Sequence, residues 1–234
     1  MGIMYIARHG ESVWNAERRI QGQRDVPLSE RGVSQAQALA SRLAAERIDQ
    51  IFTSDLQRAH QTAAAVAALQ LALHEPLRVR PALRERSYGS WEGLTAAAAR
   101  ARGTPPSGDG TAGASPVAAT TTPDAWDGPP DAETFGEVVN RLLDAWTEVA
   151  QVLDSGATAL VVGHAAALRA LLCGLTGTPA AGQRRWQMDT ASLSCLTWES
   201  GTLSVDWWND ATHTVEPLEA AAGVTDVHAG QTRS

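Results

Sequence analysis

The sequence predicts an α/β protein, a three-layer sandwich in which a mostly parallel central sheet carries helices on both faces. Three observations predict it. Apolar runs at residues 3–7 and 159–162 have the length of buried strands and no polar alternation. Stretches with apolar residues at helical spacing lie between them, as at 33–43 and 135–153. Both apolar runs also end on histidine, in Arg8-His9-Gly10 after the first and Gly163-His164 after the second. Ligands of open α/β sheets bind outside the carboxyl ends of the strands, so a histidine at each of two such ends can converge on one site.

The elements follow in order. After strand 3–7, Ser29-Glu30-Arg31-Gly32 opens a helix to about Glu46, with Val33, Ala36, Ala40 and Leu43 on its core face. Residues 48–53 read as a second strand, the alanine-rich stretch 56–69 as a helix, and 93–102 as the start of another. Phe135, Val138, Val139, Leu142, Trp146 and Val149 mark a core-facing helix over 135–153. Strand 159–162 leads into helix 165–175, and 193–198 and 203–207 form a strand pair turned at Ser200-Gly201.

Residues 103–130 break this rhythm. They are almost wholly Gly, Pro, Ala, Ser and Thr, with Asp109, Asp124 and Asp127 charged and Trp126 the single large apolar residue. Such a segment cannot bury a core, and inside a compact domain it fits a disordered insert or a lid. Gly108-Asp109-Gly110-Thr111-Ala112-Gly113 spells the dinucleotide fingerprint there by chance, since no strand precedes it and no helix follows. The small, polar residues 217–234 are expected to fray, which leaves one domain over 1–216.

Composition narrows the function. The chain has 234 residues, 44% hydrophobic and 19% charged, and no apolar stretch near the roughly 18 residues of a membrane span. Met1 to Ala7 meets Arg8 too soon for a signal peptide, so the expected location is cytoplasmic, with no membrane partner. A net charge of −7 argues against a nucleic-acid partner. All 19 Lys-plus-Arg residues are arginine, which removes P-loop, Schiff-base and pyridoxal-phosphate chemistry, each of which needs a lysine. Cys173 and Cys195 lack CxxC spacing and read as buried thiols. No HExxH or HxH spacing supports a zinc site, so no metal or other cofactor is expected.

What remains is phosphoryl chemistry. Arg8 beside His9 points to an anionic ligand, because a guanidinium fork matches phosphate oxygens bidentately. Ser54-Asp55-Leu56-Gln57-Arg58 places Arg58 in the opening turn of the second helix. Arg8 and Arg58, with His164 as a third donor, would hold the equatorial oxygens of a transferring phosphoryl group. His9 would present a neutral ring nitrogen in line with the leaving oxygen. Glu85, in Leu83-Arg84-Glu85, would protonate the leaving alkoxide and then deprotonate the hydrolytic water. The plain alternative is a pair of core histidines.

The arrangement resembles the histidine phosphatase superfamily, the phosphoglycerate mutase-like group. The matching residues are Arg8-His9-Gly10-Glu11-Ser12, Trp14-Asn15, Gln21-Gly22, the stretch from Asp25 to Gly32, Thr53-Ser54-Asp55-Leu56, Arg58-Ala59, Gln61-Thr62-Ala63, Leu83-Arg84-Glu85, Tyr88-Gly89, Trp91-Glu92-Gly93-Leu94, Gly163-His164 and Asn209-Asp210-Ala211-Thr212-His213. The resemblance implies nucleophile His9, phosphate ligands Arg8, Asn15, Gln21, Arg58 and His164, acid/base Glu85 and no metal. Two positions depart from the pattern: Ala165 stands where glycine commonly follows the second histidine, and Pro130-Asp131-Ala132-Glu133-Thr134 only loosely echoes a Pro-Gly-Glu-Ser stretch.

Glu11 and Glu92 compete with Glu85 for the acid role, and motif matching selects Glu85. Asn15 and Gln21 also fit capping or turn roles, His60 and His213 structural ones, and His74 and His228 solvated ones. Trp186, Trp198, Trp207 and Trp208 fit core or edge packing. A mutase must hold a second acidic group and shield its phosphoenzyme from water, yet the insert carries no arginine after Arg102 and Ala166 replaces a mutase-like asparagine. The sequence therefore predicts a metal-independent phosphomonoester hydrolase of histidine acid phosphatase type, acting on small sugar or acid phosphates. Cofactor-dependent phosphoglycerate mutase is the alternative, and a non-catalytic phosphate-binding module the remote one. Whether the chain forms a homodimer stays open.

Overall fold

The computed structural model describes residues 1–70, 77–102 and 128–214. Trp126, His74, His228, the fingerprint-like stretch at 108–113, nearly all of the 103–130 insert and the 217–234 tail lie outside the described residues.

Six strands form one sheet: β1 (Gly2–Arg8), β2 (Gln50–Thr53), β3 (Arg78–Val79), β4 (Thr158–Gly163), β5 (Leu193–Glu199) and β6 (Thr202–Asp210), in the order β3-β2-β4-β1-β5-β6. The β3-β2-β4-β1 portion is parallel throughout, and β5 and β6 add an antiparallel hairpin to its β1 edge. The predicted turn at Ser200-Gly201 has both residues at positive φ, 50° and 81°, as a tight hairpin with right-twisted strands requires. β3 was not anticipated, because two residues carry no periodicity to read.

Helices α1 (Val13–Ala16), α2 (Glu30–Leu43), α3 (Gln57–Ala67), α4 (Ala96–Ala101), α5 (Phe135–Asp154) and α6 (Ala165–Thr176) complete the chain. Strand alternation sorts the core into two layers. Met4 and Ile6 of β1 with Ala159 and Val161 of β4 pack under α5 and α6, while Tyr5, Ala7, Leu160 and Val162 face α2 and α3. This is the predicted sandwich. On α2 the buried face runs through Gly32, Ala36, Leu39, Ala40 and Leu43, and Val33, expected there, is 45% exposed. The helical phase is the reason: with Ala36, Ala40 and Leu43 inward, Leu39 completes the stripe and Val33 falls on its solvent edge.

The tryptophans pack as expected. Trp146 and Trp198 meet edge to face at 5.3 Å, as do Trp186 and Trp208 at 5.0 Å, and Trp207 lies 6.3 Å from Tyr5. Cys173 and Cys195 are buried free thiols. Among the described residues no helix is long and apolar enough to cross a membrane.

Candidate active site

Three neighbouring strand ends build the site. β2, β4 and β1 are adjacent, with Thr53 beside Val162 and Arg8 beside Gly163, so Ser54, His164 and His9 leave the sheet side by side. The two imidazole rings lie 5.1 Å apart. The His9 N–H donates to the Gly163 carbonyl at 2.9 Å, and the His9 carbonyl accepts from Ala191 at 3.1 Å. Beyond it, the Gly10 N–H donates to Thr62 Oγ1 at 3.1 Å, and that hydroxyl donates to the Arg58 carbonyl at 2.8 Å, tying the loop to α3. The loop also lies against the start of α2. A Cβ on Gly10 would strike the Gly32 carbonyl, and one on Gly32 the Glu11 carbonyl.

His9 is 3% exposed, and its Nδ1 lies 2.6 Å from the Gly10 carbonyl oxygen. A carbonyl only accepts, so Nδ1 carries the proton and a neutral ring keeps its lone pair on Nε2. Burial first, then the charges of Arg58 and Arg8, hold His9 well below the usual histidine range, against the Gly10 bond. His164 is fully buried and pushed down by burial, then Arg58, His9 and Arg8. Its Nε2 lies 2.7 Å from Ser54 Oγ. Both rings are therefore neutral at pH 7.

Arg58 is 1% exposed and donates through Nη1 to the Arg24 carbonyl and through Nη2 to the Gly22 carbonyl, both at 2.8 Å. Arg8 Nη1 donates to the Met188 carbonyl at 2.8 Å. Burial lowers both guanidinium pKa values, Arg58 to about 10, and Glu85 opposes the shift at each; both stay charged at neutral pH. Arg8 Nε, Arg58 Nε and His164 Nδ1 are buried without a hydrogen-bond partner. An unmet buried donor costs about 1–3 kcal/mol, so such donors around two neutral rings suit an arriving anion.

Glu85 joins the same centre from the far side. Its Oε1 accepts from the Arg86 N–H at 2.8 Å and the Ala167 N–H at 2.9 Å, and its Oε2 from the Ala166 N–H at 3.2 Å. Those alanines belong to the first turn of α6, which begins directly after His164, so one helix start holds the carboxylate and follows the second histidine. The competing acids are occupied elsewhere. Glu11 accepts from Ser29 Oγ at 2.9 Å and pairs with Arg31. Glu92 accepts from the Gln23 and Tyr88 N–H groups, both at 3.0 Å, and pairs with Arg24.

Asn15 and Gln21 stand beside each other at the α1 N-terminus. Asn15 Oδ1 accepts from the Ser12 N–H in a capping box, and Gln21 Oε1 accepts from Ser12 Oγ at 2.7 Å. Their oxygens are engaged, so an anion could be met only through their NH2 ends. His213 is structural, with Nε2 2.9 Å from the Ala191 carbonyl, whereas His60, expected to be structural, is exposed because its side of α3 faces away from Ala59, Thr62 and Ala63.

Sequence reasoning missed two arginines. Arg141 of α5 donates to the carbonyls of Ala82, Arg84 and Glu85 at 2.8–3.0 Å and pairs with Glu133 at 2.7 Å, fixing the backbone that carries Glu85. A signal was available: Arg141 falls three residues after Val138 and four before Ala145, both buried, so it flanks a buried face. Arg169 is the other, the single charged residue of α6. The loose echo at 130–134 also has a structural task, since Asp131 accepts from Ser90 and Glu133 Oε2 accepts from the Ser87 N–H at 2.7 Å.

A cavity of about 610 Å³ opens between Arg8, Arg31 and Gln35 on one side and Asp189, Thr190 and Thr212 on the other; of the predicted site residues only Arg8 lines it. Among the described residues, no group of three or more His, Cys, Asp or Glu side chains gathers where it could hold a metal ion.

The family model described as histidine phosphatase superfamily (branch 1) matches residues 4–211. The chain is 34% identical over 213 residues to a protein named probable phosphoglycerate mutase GpmB from Yersinia pestis (strain Pestoides F), spanning 88% of this chain and 89% of that one. Among solved structures, YhfR of Bacillus stearothermophilus is similar with a TM-score of 0.74 and 28% identity, covering 92% of this chain and 100% of that one. A mycobacterial glucosyl-3-phosphoglycerate phosphatase complexed with VO3 gives a TM-score of 0.74 and 29% identity, covering 88% and 98% respectively.

Proposed function

The chain belongs to the histidine phosphatase superfamily, and on that premise we propose that it hydrolyses small phosphomonoesters, sugar or acid phosphates, through a phosphohistidine on His9. The observation that carries this reading is the Nδ1 contact of His9 to the Gly10 carbonyl, which leaves Nε2 as the nucleophile beside buried donors that lack partners. In the first step His9 Nε2 bonds to phosphorus as the phosphorus–oxygen bond to the leaving group breaks, and Glu85 in its acid form gives that oxygen a proton. Arg8, Arg58 and His164 meet the charge on the equatorial oxygens, with the NH2 ends of Asn15 and Gln21 as further ligands. In the second step Glu85 takes a proton from water as the water oxygen attacks phosphorus, releasing inorganic phosphate and restoring His9. The side chains supply the positive charge themselves, so the reading includes activity without a metal.

The GpmB relative gives the alternative, a phosphoglycerate mutase, its specific support. A panel of phosphomonoesters with a chelator present, run beside 3-phosphoglycerate primed with bisphosphoglycerate, separates the two. Phosphate release across the panel is the expected result, and efficient isomerisation with negligible release overturns it. His9→Ala should lose on the order of 10⁶-fold in kcat, the scale seen when a covalent nucleophile is removed. Equal rates for wild type and His9→Ala would leave a phosphate-binding module instead of an enzyme.

A further inference from the structure

The stretch Asn209-Asp210-Ala211-Thr212-His213 belongs to the sequence pattern, yet no step of the proposed reaction uses it. It closes β6 and opens the 3₁₀ turn Thr212–Thr214. Two of its side chains are tied to one short segment, residues 188–192. Asn209 Oδ1 accepts from the Asp189 N–H at 2.7 Å, and Asn209 Nδ2 donates to Asp189 Oδ2 at 3.0 Å. His213 Nε2 lies 2.9 Å from the Ala191 carbonyl oxygen, so Nε2 carries the proton, and Nδ1 is buried without a partner. Asp210 steadies the stretch itself, since its Oδ1 accepts from the Thr212 N–H at 2.9 Å and from Thr212 Oγ1 at 2.7 Å.

The same segment meets the two residues that leave β1. The Met188 carbonyl accepts from Arg8 Nη1 at 2.8 Å, the Ser192 carbonyl accepts from the Arg8 N–H at 3.2 Å, and the Ala191 N–H donates to the His9 carbonyl at 3.1 Å. Ala191 thus stands between His213 and His9, its carbonyl bonded to one and its N–H to the other. The Ser192 N–H donates to the Asp189 carbonyl at 3.1 Å, closing a turn in which Ala191 holds φ at 55°. The third position of such a turn favours glycine, because a Cβ at positive φ crowds the backbone. Ala191 is fully buried and keeps that conformation, so its surroundings hold it there.

The plain reading is a turn that only leads the chain into β5. It does not explain why a strained residue links an imidazole to the His9 carbonyl, or why Arg8 commits Nη1 to this segment. With Nη1 on Met188, the Nε–Nη2 edge of the guanidinium is the one left for an anion, and Nε is the buried donor without a partner. We infer that residues 188–192 are a template that aims Arg8 and seats His9, and that His213 and Asn209 are positioning residues that hold the template. Neither touches the phosphoryl group; both act through the turn. The inference rests on the phosphatase reading and adds the source of the alignment that reading needs.

The test is a pair of double-mutant cycles read on para-nitrophenyl phosphate. His213→Ala should lower kcat/KM about 10- to 100-fold, the scale of a slightly misplaced reacting group. In an Arg8→Ala background the same substitution should cost at least about fivefold less, because one of the residues it aims is gone. In an Arg58→Ala background it should keep its full cost, since the Arg58 guanidinium is held by the Arg24 and Gly22 carbonyls instead. His213→Gln, whose amide nitrogen can reach the Ala191 carbonyl, should recover most of the activity. Asn209→Gly keeps the positive φ of 58° and removes only the side-chain ties; it should repeat the pattern, and it carries the test if His213→Ala does not fold. Equal cost in all three backgrounds, or a lowered thermal midpoint with kcat/KM unchanged, overturns the inference and makes the stretch a brace for the fold. If wild type releases no phosphate from any ester, the phosphatase reading has failed, and the same cycles read in the Kd of inorganic phosphate decide the template. A chain that binds no phosphate overturns both.

Discussion

The two walls of the site are built by opposite means. On the proposed phosphate side, His9, His164 and Arg58 are at most 3% exposed and are fixed by strand ladders and backbone carbonyls. On the proposed leaving-group side, residues 85–93 run through one short 3₁₀ turn, Gly89–Trp91, with no ladder, held by the carboxylates of Glu92, Asp131 and Glu133. A phosphoryl group has one shape in every substrate, whereas the alcohol varies, and a ladder is the means that tolerates no variation. In the proposed reading this is a division of labour: regular structure holds the phosphoryl group common to every substrate, and side-chain ties hold the wall that meets the variable alcohol.

The largest effect that could break this contrast is expected at Glu85. Glu85→Gln keeps the shape and removes the transferable proton, so hydrolysis of alkyl phosphates should fall about 10²- to 10⁴-fold. Nitrophenyl phosphate, whose leaving group needs little protonation, should lose far less. Equal losses on both substrates would make Glu85 a brace for the start of α6 and erase the functional difference between the walls.

Arg58→Ala probes the other wall and should behave oppositely. Removing one preorganised donor costs about 2.7–4 kcal/mol of barrier, roughly 10²- to 10³-fold in kcat, and the loss should be the same for alkyl and aryl substrates because both carry the same phosphoryl group. A rate within about a factor of two of wild type, measured on protein whose thermal midpoint confirms folding, would remove Arg58 from the phosphate shell.

The same contrast explains what could be read in advance. The phosphate side was legible because its signals are local: an apolar run that ends in Arg-His or Gly-His states both the strand and what its end delivers. Arg58, just past the second strand, followed from the same logic. The leaving-group side was mostly illegible because its ties cross long separations, 46 residues from Ser87 to Glu133 and 56 from Glu85 to Arg141, and no short pattern joins those pairs. Glu85 itself was chosen from three acids by motif matching; only the Ala166 and Ala167 contacts give that choice a geometric basis. Helix phase failed at Val33 for a related reason, since one residue of rotation separates a core position from a solvent one and only packing decides it.

The smallest effect concerns stability rather than rate, and it comes chiefly from the two histidines of the proposed phosphate side, with a further share from His213, whose pKa burial also lowers. His9 and His164 are held neutral in the folded chain, their pKa values depressed by burial and by Arg58 and Arg8, while in the unfolded chain they titrate near 6.5. Above that value both states leave the rings unprotonated and no penalty exists. Below it the unfolded chain takes up protons that the folded one refuses, so stability should fall with pH from about 6.5 downward, by up to about 1.4 kcal/mol per pH unit for each histidine. Carboxylates held down by their partners, such as Asp55 with Arg84 and Glu148 with Arg80, lose their contribution only nearer the unfolded carboxyl values of about 4, so the window between pH 6.5 and 5 belongs to the histidines. Urea denaturation at half-unit steps across that window should show the slope in wild type and a clearly shallower one in His9→Asn. Stability that stays flat from pH 7 to 5 would mean that both rings can accept protons in place, and a cradle that charges so freely could not keep Nε2 of His9 ready for phosphorus.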